Sequence, residues 1–229
     1  DYTEPAALGA ATIAWNAQDL ARAKQHYATL EATCVLQENA LEARIGLMRC
    51  HYLLDETEQA LAYANVVIDD SQTPEDIAAT ARYWRGKIKF EAKDYAAAAP
   101  DLEKVAALGG TRGAESQFML CQIAFASGDY AATEQALFEF IQAYANYDAW
   151  KHQAFLLLVD TYIALEDWFQ ARATAESILE YVQVESIRLA ATQKLATIDE
   201  RELAELNPPV SADSTGTEPS TPQQNAPQP

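Results

Sequence analysis

The sequence predicts an all-α helical-hairpin solenoid that ends in a single closing helix and a separate polar tail. Three observations carry that reading. A short polar turn followed by an alanine-rich stretch returns five times, at Gln18-Asp19-Leu20, Asp55-Glu56-Thr57, Lys93-Asp94-Tyr95, Gly128-Asp129-Tyr130 and Glu166-Asp167-Trp168. Taking the third residue of each as an anchor, the gaps are 37, 38, 35 and 38 residues, and three positions further on stand Ala23, Ala60, Ala98, Thr133 and Ala171. A fixed period in this range marks a stack of helix pairs. Second, breakers are scarce in the body: the chain has eight Gly and nine Pro, and six of those Pro follow residue 207. Third, apolar residues recur at helical spacing, as in Phe155, Leu158, Val159 and Tyr162, while no run of alternating β-branched residues reads as a strand.

The elements follow in order. Repeat one spans residues 1–36, repeat two 37–74, repeat three 75–111, repeat four 112–147 and repeat five 148–183. In the turns, Asp94, Asp129 and Asp167 stand where a carboxylate caps the next helix and complements its dipole. Residues 69–74 read as a loop, with Pro74 starting the next helix. Residues 108–113 read as a glycine-rich turn. Pro100 falls inside the second helix of repeat three, where its missing N–H is expected to kink it or to delay its start. Residues 184–206 read as a capping helix, with apolar Ile187, Ala190, Ala191, Leu195, Ile198 and Leu203 among charged neighbours. Residues 207–229 hold six Pro, six Ser or Thr and no Lys or Arg, so the expectation is a disordered tail.

The repeat resembles the tetratricopeptide repeat, a family of 34-residue helical hairpins. Repeat five matches its alternation of large and small packing sites best, with Phe155, Leu158, Tyr162, Trp168 and Ala171. Repeat four offers Cys121, Tyr130 and Leu137, and repeat three Gly86, Tyr95, Ala98 and Leu102. Repeats one and two depart from it: Ala14 takes a large site and Met48 a small one. The resemblance covers roughly residues 5 to 205 and implies a right-handed solenoid. It also implies a concave surface lined by the first helix of each pair. On these positions the lining is Leu8, Thr12 and Trp15, then Ile45, Arg49 and Tyr52. Tyr83, Lys87 and Phe90 follow, then Phe118, Gln122 and Phe125, and finally Leu156, Asp160 and Ile163.

Function is bounded mainly by charge. The chain is 229 residues long with a net charge of -18 and an isoelectric point near 4.4. Such a surface repels nucleic-acid phosphates and anionic membranes. No apolar run is long enough to span a bilayer. The chain opens Asp1-Tyr2-Thr3, without an initiator Met, and reads as a piece of something longer. Three irregularly spaced cysteines, Cys34, Cys50 and Cys121, argue against a disulfide framework, although Cys34 and Cys50 could approach across one turn. His26, His51 and His152 are isolated, and no metal, phosphate-loop or nucleophile motif occurs. The expectation is a non-enzyme without cofactor.

The favoured reading is a scaffold that binds a peptide or protein segment through Trp15, Arg49, Tyr52, Tyr83, Lys87, Phe90, Phe118, Gln122, Phe125 and Asp160. Two cations beside six aromatic rings are the ingredients of a peptide hot spot. Leu8 and Thr12 replace the Lys and Asn that hold a terminal carboxylate in chaperone-binding family members, so that activity is not implied. A saccharide site built on the rings with Gln122 and Asp160, and a structural or self-associating spacer, are the alternatives. The style of the repeats is similar to bacterial cell-envelope members of the family, which implies a periplasmic or envelope location, with the cytoplasm as the alternative.

Overall fold

The computed structural model describes residues 3–206, and the tail expected over 207–229 lies outside them. Among the described residues there are eleven helices and no strand: α1 (Thr3–Asn16), α2 (Leu20–Thr33), α3 (Gln37–Leu53), α4 (Thr57–Asp69), α5 (Glu75–Glu91), α6 (Tyr95–Ala106), α7 (Gly110–Ala126), α8 (Tyr130–Ala143), α9 (Asp148–Ala164), α10 (Trp168–Tyr181) and α11 (Glu185–Leu206). Each helix packs on the next. The backbone of each odd helix also lies against the following odd helix, from α1 to α11. Among the described residues no two even helices approach that closely, and they meet only through long side chains such as Tyr63 on Glu31. The odd helices therefore form one continuous layer and the even helices a second, spaced one. This is the arrangement of a helical-hairpin solenoid, and α11 fills the odd-layer place after α9.

The five hairpin turns share one backbone device. Gln18, Asp55, Lys93, Gly128 and Glu166 all take positive φ, between 58° and 81°. Their N–H groups bond back three residues, for example from Gln18 to the Trp15 carbonyl at 3.0 Å. In four turns the next N–H reaches back five, as from Asp94 to the Lys89 carbonyl at 2.9 Å. This is the Schellman closure of a helix C-terminus, for which glycine is the unstrained residue. Only one of the five is glycine. Asp19, Asp94, Asp129 and Asp167 then cap the following helix by accepting from the N–H of Arg22, Ala97, Ala132 and Gln170. Glu56 stands at the fifth cap and makes no such bond. Its longer side chain accepts from Lys24 Nζ at 2.6 and 2.7 Å and pairs with His51 Nδ1 at 2.5 Å.

Packing follows the anchor pattern. Ala23, Ala60, Ala98, Thr133 and Ala171 are all fully buried. One and two turns further along, Tyr27 and Leu30, Ala64 and Val67, Leu102 and Val105, Leu137 and Phe140, and Ala175 and Ile178 are buried too. Every even helix thus turns one stripe of this spacing inward. Close approach needs glycine at two odd-helix positions. A Cβ on Gly46 would stand 2.5 Å from the Tyr27 ring, and one on Gly86 would stand 2.9 Å from Leu102 Cδ2.

Two expectations are corrected. The glycine-rich turn is shorter than residues 108–113, because α7 already begins at Gly110. Gly113 serves packing instead: it is buried against the end of α6, where a Cβ would lie 3.3 Å from the Ala106 carbonyl oxygen. Nor does Pro100 delay its helix, since α6 starts at Tyr95 and runs through it. The ring sits on the exposed side of α6, where water can satisfy the freed Ala96 carbonyl. Cys34, Cys50 and Cys121 are free thiols.

Candidate functional site

The odd-helix layer carries every residue singled out above, and several of them sit in pairs that cross from one odd helix to the next. Arg49 of α3 lies over the Trp15 ring of α1, 4.1 Å from its centroid. Tyr52 donates to Glu91 Oε1 of α5 at 2.7 Å and packs 4.8 Å from the Trp84 ring. Tyr83 and Lys87 of α5 both donate to Glu115 of α7, at 2.7 and 2.8 Å. Arg112 of α7 reaches back to Thr80 Oγ1 at 2.7 Å and overlies the Tyr83 ring. Lys194 of α11 donates to Asp160 of α9. Phe90 and Phe125 each pack on the first aromatic of their own hairpin's second helix, Tyr95 and Tyr130.

Two of the ten residues offer almost no surface. Tyr83 and Phe118 are each 5% exposed. Phe118 packs with Phe140 and Trp150 between α8 and α9, so its ring belongs to the core. The Tyr83 ring is core as well, and its hydroxyl positions Glu115. Trp15, Arg49, Tyr52, Lys87, Phe90, Gln122, Phe125 and Asp160 are partly exposed. Sequence reasoning missed Trp84, Glu91, Arg112, Glu115 and Lys194. Trp84 and Glu91 each adjoin a selected residue, but their roles depend on a neighbouring repeat, which spacing within one repeat does not reveal.

The electrostatics favour a fixed surface over a reactive one. Burial, the hydrogen bond to Glu91 and that carboxylate's charge hold the Tyr52 phenol well above its ordinary value. The same three causes, with Glu115 as the partner, act on Tyr83. Both therefore remain donors at neutral pH. Burial pushes the Cys50 thiol up to about 11 and the Cys121 thiol up to about 12, so neither is a thiolate nucleophile at neutral pH. Among the described residues no group of three or more His, Cys, Asp or Glu side chains could hold a metal ion, and no helix is long and apolar enough to cross a membrane.

Arg49 is the exception among these pairs. Among the described residues it makes no hydrogen bond and no ion pair, and its Nε is buried without a partner. Its one clear interaction is the stack on Trp15. A guanidinium held over an indole, with none of its N–H donors paired, is a candidate partner for an anion.

Comparison with known proteins agrees with this geometry at the level of the fold. The crystal structure of MamA protein matches with a TM-score of 0.60, over 80% of this chain and 97% of that one, at 16% identity. At such identity the likeness shows the fold, a helical-hairpin solenoid of the tetratricopeptide type. No family model matches the chain, and no curated protein matches it.

Proposed function

We propose that this chain is a non-catalytic interaction scaffold that takes a segment of another protein along its odd-helix layer, around Trp15, Arg49 and Tyr52. The observation that carries this reading is the unpaired Arg49. In a chain with 34 acidic side chains, the partly buried cations around it are claimed by carboxylates, Lys87 by Glu115 and Lys24 by Glu56. A partly desolvated guanidinium without a partner favours a bound carboxylate or main-chain carbonyl supplied from outside. The saccharide alternative finds less support, because Asp160, one of its two polar groups, is engaged by Lys194.

The test is capture from the source organism's lysate by the intact chain, by Arg49→Glu and by Trp15→Ala, each first shown by circular dichroism to be folded. The proposal expects a protein retained by the first and lost from both variants. Retention by all three removes the interface from this layer. The reading extends to a bacterial envelope assembly on the sequence resemblance alone, and cell fractionation tests that extension.

A further inference from the structure

The even-helix face contains a cleft that the binding reading above does not use. It lies between α8 and α10 and is floored by α9. Its volume is about 390 Å³, within the range of sites that take several side chains. Phe155, Leu158 and Tyr162 of α9 form the floor, Phe138 stands on one wall, and Ala173 and Tyr181 stand on the other. Phe138 is 51% exposed and Tyr181 is 73% exposed, so two large rings border the opening in contact with water.

Two of the three corresponding seams earlier in the chain, those over α3 and α5, are closed by charge. Over α3, Arg44 donates to Glu31 of α2 at 3.3 Å and lies 4.0 Å from Asp70 at the end of α4, and Tyr63 of α4 donates to the same Glu31 at 3.1 Å. Over α5, Arg85 makes two bonds to Asp101 of α6, at 2.6 and 2.8 Å, and one to Asn65 of α4 at 2.8 Å. Counted from the turn anchors, the α9 residues that match Arg44 and Arg85 are Phe155 and Leu158. The last seam therefore has an apolar floor and no ionic bridge across it among the described residues.

Charge identifies the occupant. No Lys or Arg lines the cleft. Glu134 borders it and accepts from the Tyr162 hydroxyl. Glu134 and Glu139 line a neighbouring hollow that shares Phe138. Glu180 is exposed next to Tyr181 in sequence, and the chain as a whole carries -18. We propose that the cleft between α8 and α10 is a docking site for a cationic amphipathic helix, which seats its apolar stripe between Phe138 and Tyr181 and turns Lys or Arg toward the flanking glutamates. Apolar anchors at one-turn spacing match the long axis of such a cleft, and the basic flanks select against the protein's own acidic helices.

The test uses the full chain and a fluorescein-labelled synthetic peptide of Leu and Lys in amphipathic order, with a scrambled peptide of the same composition as control. Fluorescence anisotropy is expected to show saturable binding of the ordered peptide, at least tenfold tighter than that of the scrambled one. Phe138→Ser and Tyr181→Ser change exposed rings without changing charge, and each is expected to weaken binding at least tenfold, while Ile13→Ser, at an exposed apolar residue of α1, does not. Equal binding of the two peptides, no binding, or an unchanged affinity in both ring variants overturns the proposal, because attraction to net charge alone predicts equality. Two other occupants are read in the same experiment. A concentration-dependent doubling of mass in sedimentation that Phe138→Ser abolishes assigns the cleft to a second copy. Displacement of the probe by a synthetic peptide of residues 207–229 assigns it to this chain's own end. Either result replaces the cationic helix.

Discussion

The seams over α3 and α5 and the seam over α9 solve one geometric problem in two ways. In each, an odd helix must fill the gap between two even helices whose backbones stand apart. The seams over α3 and α5 are filled by arginines that reach partners on either side, Glu31 and Asp70 for Arg44 and Asp101 and Asn65 for Arg85. The last is filled by Phe155, Leu158 and Tyr162, and it stays open as a cleft. A side chain of similar length thus either ties two helices together or leaves a surface between them, depending on whether its end is charged. The even helices differ in bulk as well: the matching position holds Tyr27, Ala64, Leu102, Leu137 and Ala175 in turn, so the first hairpin places a ring where the last places a methyl.

The sharpest way to break the comparison is to unpair the bridge over α5. Asp101 is 5% exposed, and Asp101→Ala leaves Arg85 partly buried without its carboxylate. The expected loss is about 3 kcal/mol, read from urea unfolding. Replacing both partners, as Arg85→Leu with Asp101→Leu, is expected to restore stability to within about 1 kcal/mol of the parent, since an apolar seam of similar volume is the solution α9 already uses. If the double variant is as weak as the single one, the two kinds of seam are not interchangeable.

A smaller effect tests bulk. Gly46→Ala forces a methyl to 2.5 Å from the buried Tyr27 ring and is expected to cost about 2 kcal/mol. Pairing it with Tyr27→Ala, which imports the last hairpin's choice, is expected to abolish that penalty in a double-mutant cycle.

Acid offers a third test. Hydrogen bonds from Lys24 and His51 hold the Glu56 carboxyl below its ordinary value of 4.5, and bonds from Asn39 and the Val35 N–H do the same for Glu4. A depressed value in the folded state means that protonation favours the unfolded chain. The stability these groups supply is complete above their ordinary value and is lost as pH falls through the folded one. Glu56→Gln is expected to be less stable than the parent at neutral pH, with the gap closing as pH falls through the lowered folded-state value. A gap that stays constant with pH removes Glu56 from the bridging network.

The smallest effects lie in the turns. Lys93→Gly relieves a left-handed backbone and is expected to add about 1 kcal/mol, and Gly128→Ala to remove a similar amount. Thermal unfolding reads both.

Much of this architecture was legible because it is local. The turn triplets fix where each hairpin closes, and four of five second residues cap the next helix, Asp19 among them. Helix α11 covers the apolar positions read from residues 184–206. The site was less legible, because its pairs join residues about one repeat apart. Nothing in the spacing around Lys87 announces Glu115, 28 residues on, or shows that the Phe118 ring turns into the core while Phe125 stays at the surface. The glycine run misled for a related reason: Gly113 is required by a neighbouring helix and not by the turn.

Because only the odd layer is continuous, the array has the build of a spring whose inner edge is stitched and whose outer edge is spaced. Load along its axis strains the outer edge first, and the ionic ties over α3 and α5 stiffen that edge where they occur. The seam over α9, untied and open as a cleft, is then a compliant joint. A guest seated there would act as a wedge that sets the curvature of the spring, and so the width of the surface on its opposite side.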